Sequence, residues 1–282
     1  MKLKSRFWSD LTWRDFADLP STLRVEDVVA VLPVAAVEQH GPHLPLSVDQ
    51  TLIDGIIQAS LPLMADDLPV LILPTQAVGK SVEHEQFPGT LSLNTSTIVQ
   101  LWMDIGASVA RAGLKKLLLF NSHGGNVAVM DIVARDLRAI HGLIVYSCSW
   151  FNLPMPQAVE ELFPPEEHRF GIHAGDIETS MMLALRSDSV DMSHARNFRS
   201  TSQDRAEHYS VLGNGRSAKL GWQMQDYNEH GAAGNAQIAD PHKGQLLVDT
   251  AARGLVTLLD EFSRLPVSTV KCAPSLSAAS KQ

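Results

Sequence analysis

The chain has 282 residues, 45% hydrophobic and 19% charged, with 23 Lys plus Arg against 31 Asp plus Glu and a net charge of −8. This acidic balance, without a basic run, argues against nucleic acid and anionic membranes as partners. The only cysteines, Cys148 and Cys272, lie far apart and outside any CxxC pattern, which excludes a disulfide scaffold or thiolate zinc site and fits a reducing, cytoplasmic setting.

The basic residues among positions 1–8 are followed by no apolar run, so no signal segment is expected. No stretch reaches the roughly 18 uninterrupted apolar residues of a membrane span. Residues 28–37 (VVAVLPVAAV) read as a buried strand ending on polar residues. Residues 51–64 carry a helical pattern, with Leu52, Ile53, Ile56, Ile57 and Leu61 near one face. Residues 69–73 form a short strand stopped by Pro74, and residues 95–112 a helix capped by Thr95 or Ser96. A strand at 115–120, a turn, a helix at 127–141 and a strand at 143–148 follow. This alternation predicts βαβ units: an α/β fold with a mostly parallel sheet and helices on both faces.

Beyond Trp150 the pattern loosens. Residues 151–171 hold four prolines and read as a lid or excursion, and 176–185 are helical. Residues 193–240 are polar and Gly/Asn-rich, as in long active-site or interface loops. A helix over 244–264 is expected to pack back on the sheet. With no repeat and no linker, residues 1–270 are read as one domain and residues 271–282 as a disordered tail.

Chemistry in open α/β sheets sits beyond the carboxyl ends of the strands, here after Val37, Leu73 and Phe120. After Val37 come Glu38 and His40, one residue apart on an extended segment and able to converge, with Asp49 returning before the next helix. Carboxylate, imidazole and carboxylate suit Zn, Mn or Fe, and a bridging Asp49 could hold two ions. The competing reading is a helix entry in which Asp49 caps. After Phe120, Asn121-Ser122-His123-Gly124-Gly125-Asn126 makes a tight turn with His123 at its apex. It is a ligand or a structural turn, and no P-loop lysine follows. In His173-Ala174-Gly175-Asp176-Ile177-Glu178, His173 and Asp176 would share a helix face, and Glu178 flanks an apolar stripe where a buried carboxylate needs a partner. Residues 81–93 place Ser81, Glu83 and His84 in a loop before the Pro88-Gly89 turn. Ligand, substrate contact and solvated loop all remain open for them.

Together, LPVAAVEQHGPHLPLSVDQ at 32–50, GKSVEHEQFPGTLSL at 79–93, LFNSHGGN at 119–126 and HAGDIETS at 173–180 resemble the creatininase (creatinine amidohydrolase) family. The resemblance covers roughly residues 20–255 and rests on four motifs in order. It implies a three-layer α/β/α sandwich, hydrolysis of C–N bonds in amides, two divalent metal ions per subunit and a homo-oligomer, typically a hexamer. Carried over by position, Glu38, His40, Asp49, His123 and Glu178 are the expected metal ligands, with Asp49 bridging and His173 as the acid toward the leaving nitrogen. Creatininase has a glutamate two residues after the turn histidine where this chain has Gly125, so the proton acceptor is expected to be Glu178, Glu83 or the metal-bound hydroxide. Ser81, His84, Gly124, Gly125, Trp150 and Arg169 are the expected substrate contacts, with Arg216, Trp222 and His230 as further candidates. Residues 169–172 (RFGI) offer no second substrate-packing tryptophan, and the H-G-G-N form looks more like branches acting on formamides or peptides. The expected function is a metal-dependent amidohydrolase acting on a small cyclic amide or formamide. The alternatives are a peptidase of the same family and a non-catalytic metal- or ligand-binding protein on the same fold.

Overall fold

The most apolar runs become strands of one parallel sheet, as expected where helices cover both faces. In the computed structural model, which describes residues 3–271, β1 (Val29–Val34), β2 (Val70–Ile72), β3 (Lys116–Asn121) and β4 (Ile144–Ser149) lie in the order β2-β1-β3-β4. All neighbours are parallel. Val29 stands opposite Val70 on one side and Lys116 on the other, and Asn121 opposite Ser149.

Alternate residues of β1 serve opposite layers. Val29 and Val31 pack among apolar residues of α2 (Val48–Ser60), α7 (Asp176–Arg186) and α9 (Pro241–Arg264). Ala30, Leu32 and Val34 pack with those of α3 (Thr95–Arg111) and α4 (Val127–His141), where α1 (Trp13–Thr22) adds Leu19. The result is the three-layer α/β/α sandwich. Among the described residues no helix is long and apolar enough to cross a membrane.

The element boundaries depart from expectation where polar chemistry decides them. β1 stops at Val34, three residues early, and its last pairing is a parallel bridge of Val34 with Gln76, in which Ala35 N–H bonds the Gln76 carbonyl at 3.0 Å. α2 starts at Val48 rather than 51, which places Asp49 in its first turn. The cap of α3 is Asn94, whose Oδ1 accepts Thr97 N–H at 2.9 Å, instead of Thr95 or Ser96. α1 was not expected, although Thr12 and Asp15 form a reciprocal capping box there. The excursion at 151–171 contains α5 (Gln157–Glu160) and α6 (Pro165–Phe170). The loop region 193–240 contains α8 (Ser202–His208) and an antiparallel pair, β5 (Asn197–Phe198) with β6 (Gly234–Asn235). The tail expected after Lys271 lies outside the described residues.

The packing of α9 on α7 holds the helix that carries Glu178. Gly244 of α9 faces the Ser180 carbonyl with no room for a Cβ. Gly244→Ala should therefore cost about 1–3 kcal/mol, seen as a lower denaturant midpoint at unchanged slope.

Candidate metal centre

The chain leaves β1 for β2 on one side and later returns to β3 on the other, so a crevice opens at the carboxyl ends of β1 and β3. Glu38 and His40 follow β1, His123 follows β3, and Asp49 and Glu178 sit in the first turns of α2 and α7. Four elements thus deliver five side chains to one point. His123 Nδ1 lies 3.2 Å from Glu38 Oε1 and 3.6 Å from Asp49 Oδ2, and His40 Nε2 lies 4.0 Å from Glu178 Oε2. Donor atoms of Glu38, His40 and Asp49 fall within 4.8 Å of one another, as do those of His40, His173 and Glu178.

The distal ring nitrogens set the orientation of these imidazoles. His123 Nε2 meets the Lys80 carbonyl at 2.9 Å, which leaves Nδ1 to face Glu38 and Asp49. His40 Nδ1 meets the Glu38 carbonyl at 3.1 Å and leaves Nε2 free. This is the arrangement by which proteins fix a metal-binding tautomer. His173 Nε2 meets the Gln39 carbonyl at 2.6 Å, with Nδ1 3.8 Å from Glu38 Oε1. The Gln39 amide donates to His84 Nδ1 at 2.7 Å, so His84 presents its Nε2–H to Glu38 Oε1 at 3.4 Å.

Glu38 Oε2, His40 Nε2 and Asp49 Oδ2 are buried and have no hydrogen-bond partner among the described residues. Such orphans are rare and costly, and oxygen and imidazole donors of this kind suit a divalent ion. The electrostatics agree. Burial, reinforced by the charge of Glu38, pushes the Asp49 carboxyl well above its usual range. Burial would raise Glu38 too, but His123 and its neighbours hold it well below. His123, despite burial, is pushed up to about 10 by the Glu38 and Asp49 carboxylates. One imidazolium is thus asked to neutralise several carboxylates, a task for which the donor set fits cations better.

Glu178 is held by an unusual backbone. Ala174 adopts φ 55°, a left-handed conformation uncommon outside glycine, and its N–H bonds Glu178 Oε2 at 2.5 Å. Gly175, at the start of α7, offers no side-chain cap. Glu167 of α6 supplies one from outside, accepting Ile177 N–H at 3.3 Å and Asn235 N–H at 3.2 Å. A Cβ at Gly171, Gly175 or Gly234 would collide with this carboxylate. Glu167 and Gln39 were not anticipated. For Glu167 the spacing of Gly171 and Gly175 was a usable signal, whereas nothing in the sequence marks Gln39.

Gly124 and Trp150 line the cavity beside the cluster. The other expected substrate contacts lie elsewhere. Ser81 is fully buried, with Oγ 3.4 Å from His123 Nε2, and His84 is buried behind Glu38. Arg169 is exposed with its guanidinium over Phe170, outside this cavity. Arg216 and His230 are exposed away from it, and Trp222 packs edge-on against His84. Asp176 is engaged by Lys243 Nζ at 2.6 and 2.7 Å, and it begins α7 whereas His173 precedes the helix, so the two do not share a helix face. Glu83, expected as a proton acceptor, stands behind His123, 3.6 Å from Nε2 and on the side opposite the carboxylates that Nδ1 faces. Gly125 makes this possible, since a Cβ there would strike Glu83, the Lys80 carbonyl and the His123 ring. Gly125→Ala should lower stability by about 1–3 kcal/mol. Gly124→Ala, whose Cβ meets nothing within 4 Å, should stay within about 0.5 kcal/mol, a contrast that thermal denaturation resolves.

The chain is similar in sequence and fold to known proteins. Over 202 residues the chain is 34% identical to the creatinine amidohydrolase of Pseudomonas putida, covering 67% of this chain and 75% of that protein. Over 180 residues it is 36% identical to the mycofactocin precursor peptide peptidase of Mycobacterium tuberculosis, covering 62% and 63%. A creatininase solved in a Mn form superposes with a TM-score of 0.74 at 27% identity, over 93% of this chain and all of that one. A Zn–Zn form gives 0.73 at 26%, with the same coverage. Residues 9–259 match the family model of creatininase, creatinine amidohydrolase, and the chain belongs to that family of hydrolases.

Proposed function

We propose that the protein is a metal-dependent amidohydrolase that hydrolyses a C–N bond of a small cyclic amide or formamide and uses two divalent ions, Zn, Mn or Fe. The convergence of the unpartnered, buried Glu38 Oε2, His40 Nε2 and Asp49 Oδ2 carries this reading. Glu38, Asp49 and His123 would hold one ion and His40, Asp49 and Glu178 the other, with Asp49 common to both. When bound, such a pair activates water near neutral pH and polarises the amide carbonyl.

The remaining chemistry falls to the chain's own groups. Ser122 and Gly124 border the cavity at the His123 turn, where a main-chain N–H can support the developing oxyanion. Glu178 engages Ala174 N–H through Oε2, and Oε1 is the oxygen we assign to accept the proton of the attacking water, since Gly125 has no side chain and Glu83 stands behind His123. The proton taken up by Glu178 then passes through Nδ1 of His173, whose Nε2 is anchored by the Gln39 carbonyl, to the departing nitrogen.

A peptidase activity is the second reading, supported by the similarity to the mycofactocin precursor peptide peptidase. Assembly as a homo-oligomer, a hexamer by family resemblance, belongs to the same proposal and is open to light scattering. Protein purified without added metal or a histidine tag should contain close to two equivalents of metal per subunit by plasma mass spectrometry. Asp49→Asn should lose metal and activity together. His173→Ala should retain metal while turnover on amides falls about 100-fold or more. A wild-type chain that takes up neither Zn nor Mn on dialysis would instead point to a binding protein on this fold.

A further inference from the structure

The cavity at the donor cluster is polar at one end and apolar along much of its wall. Its volume is about 400 Å³, within the roughly 300–1,000 Å³ of pockets that enclose ligands much larger than a formyl group. Its apolar lining includes Phe151, Met155, Val159, Phe163 and Ile172, drawn from the segment around α5 and from the residue just before His173. Phe151 and Ile172 remain 45% and 39% exposed, so large apolar side chains are left uncovered beside the centre. The described residues that line the cavity include no lysine or arginine, whereas Glu160 and Glu167 add to the carboxylates of the cluster. Glu167 is already engaged by two backbone N–H groups. An anionic substrate group on this wall would meet Glu160 and Glu167 and no lysine or arginine among the described residues, with His168 as the imidazole of the same wall.

We propose that the substrate carries a bulky, uncharged apolar group, aromatic or branched aliphatic, on one side of its scissile amide. This group seats against Met155, Val159, Phe163 and Ile172, and an ionised carboxylate in the same place is rejected. The inference deepens the hydrolase reading and rests on it for turnover, but not for occupancy of the cavity.

The test measures binding and cleavage separately. N-benzylacetamide and phenylacetamide are compared with N-methylacetamide and acetamide, and 4-(acetamidomethyl)benzoate serves as the charged counterpart of the first. Binding to the metal-loaded protein is followed by ligand-observed NMR with calorimetry, and cleavage by chromatography. One of the two benzyl-bearing amides should bind about tenfold or more tightly than its small partner, because burying a phenyl ring removes substantial apolar area from water. The carboxylated analogue should lose that gain. Val159→Glu and Ile172→Lys should each abolish it, the second at a partly exposed position where folding is not at stake. Ile140→Lys, at a 67% exposed site on α4 outside the cavity, should leave it intact. Equal affinity for benzyl and methyl amides, an undiminished carboxylated ligand, or a gain that survives both cavity variants overturns the proposal. Selective binding without cleavage of any amide sustains the pocket assignment and removes the hydrolase reading. Cleavage of all the amides at equal efficiency, with equal affinity, does the reverse.

Discussion

The site depends on the burial of Glu38 and Asp49 together at the carboxyl end of a parallel sheet. Two carboxylates almost fully removed from water repel each other in a medium that screens poorly, and burial alone would drive both toward the neutral form. The fold surrounds them with His123, His84 and His173, and among the described residues no lysine or arginine lies within salt-bridge distance of either. Elsewhere the chain neutralises a buried acid with a side-chain cation, as Lys243 does for Asp176. The contrast between these two solutions in one molecule separates the centre from ordinary structural ion pairing.

The backbone carbonyls do as much to define the centre as the ligating side chains. Those of Glu38, Gln39 and Lys80 each occupy one nitrogen of His40, His173 and His123. Each ring is thereby given a single outward-facing nitrogen, at main-chain positions that side-chain substitution leaves unchanged. Rigid strand ends and helix starts supply these positions, which favours precise geometry over adaptability.

Much of this was legible in the sequence, for physical reasons that differ by element. β1, β2 and β3 were visible because strands covered on both faces demand apolar runs, and α4 was placed to the residue at Val127–His141, where Gly142 in a left-handed conformation ends it. The residues Glu38, His40, Asp49, His123 and Glu178 stood out because each is polar at the end of an apolar element. Other features were not legible because they depend on what lies across space. Glu83 reads as a free acid in its loop, and only the fold shows it behind His123 with Gly125 making room. Arg169 reads as a substrate contact, and only the fold shows its guanidinium over its neighbour Phe170, outside the cavity at the cluster. Gln39 looks like a spacer between two ligands, yet its amide and carbonyl orient His84 and His173.

The Glu167 carboxylate has a consequence for how the sequence can vary. It reaches α7 and β6 through space that Gly171, Gly175 and Gly234 leave clear. These four positions are spread over nearly seventy residues of chain, and the constraint among them runs one way. A side chain at any of the three glycines evicts the acid, but loss of the acid would release only Gly175, because a Cβ at Gly171 also meets the Glu167 carbonyl and one at Gly234, whose φ is +143°, meets the Gly175 Cα. Homologues that keep Glu167 are bound to keep all three glycines, whereas those that replace it are free to drift at position 175 alone.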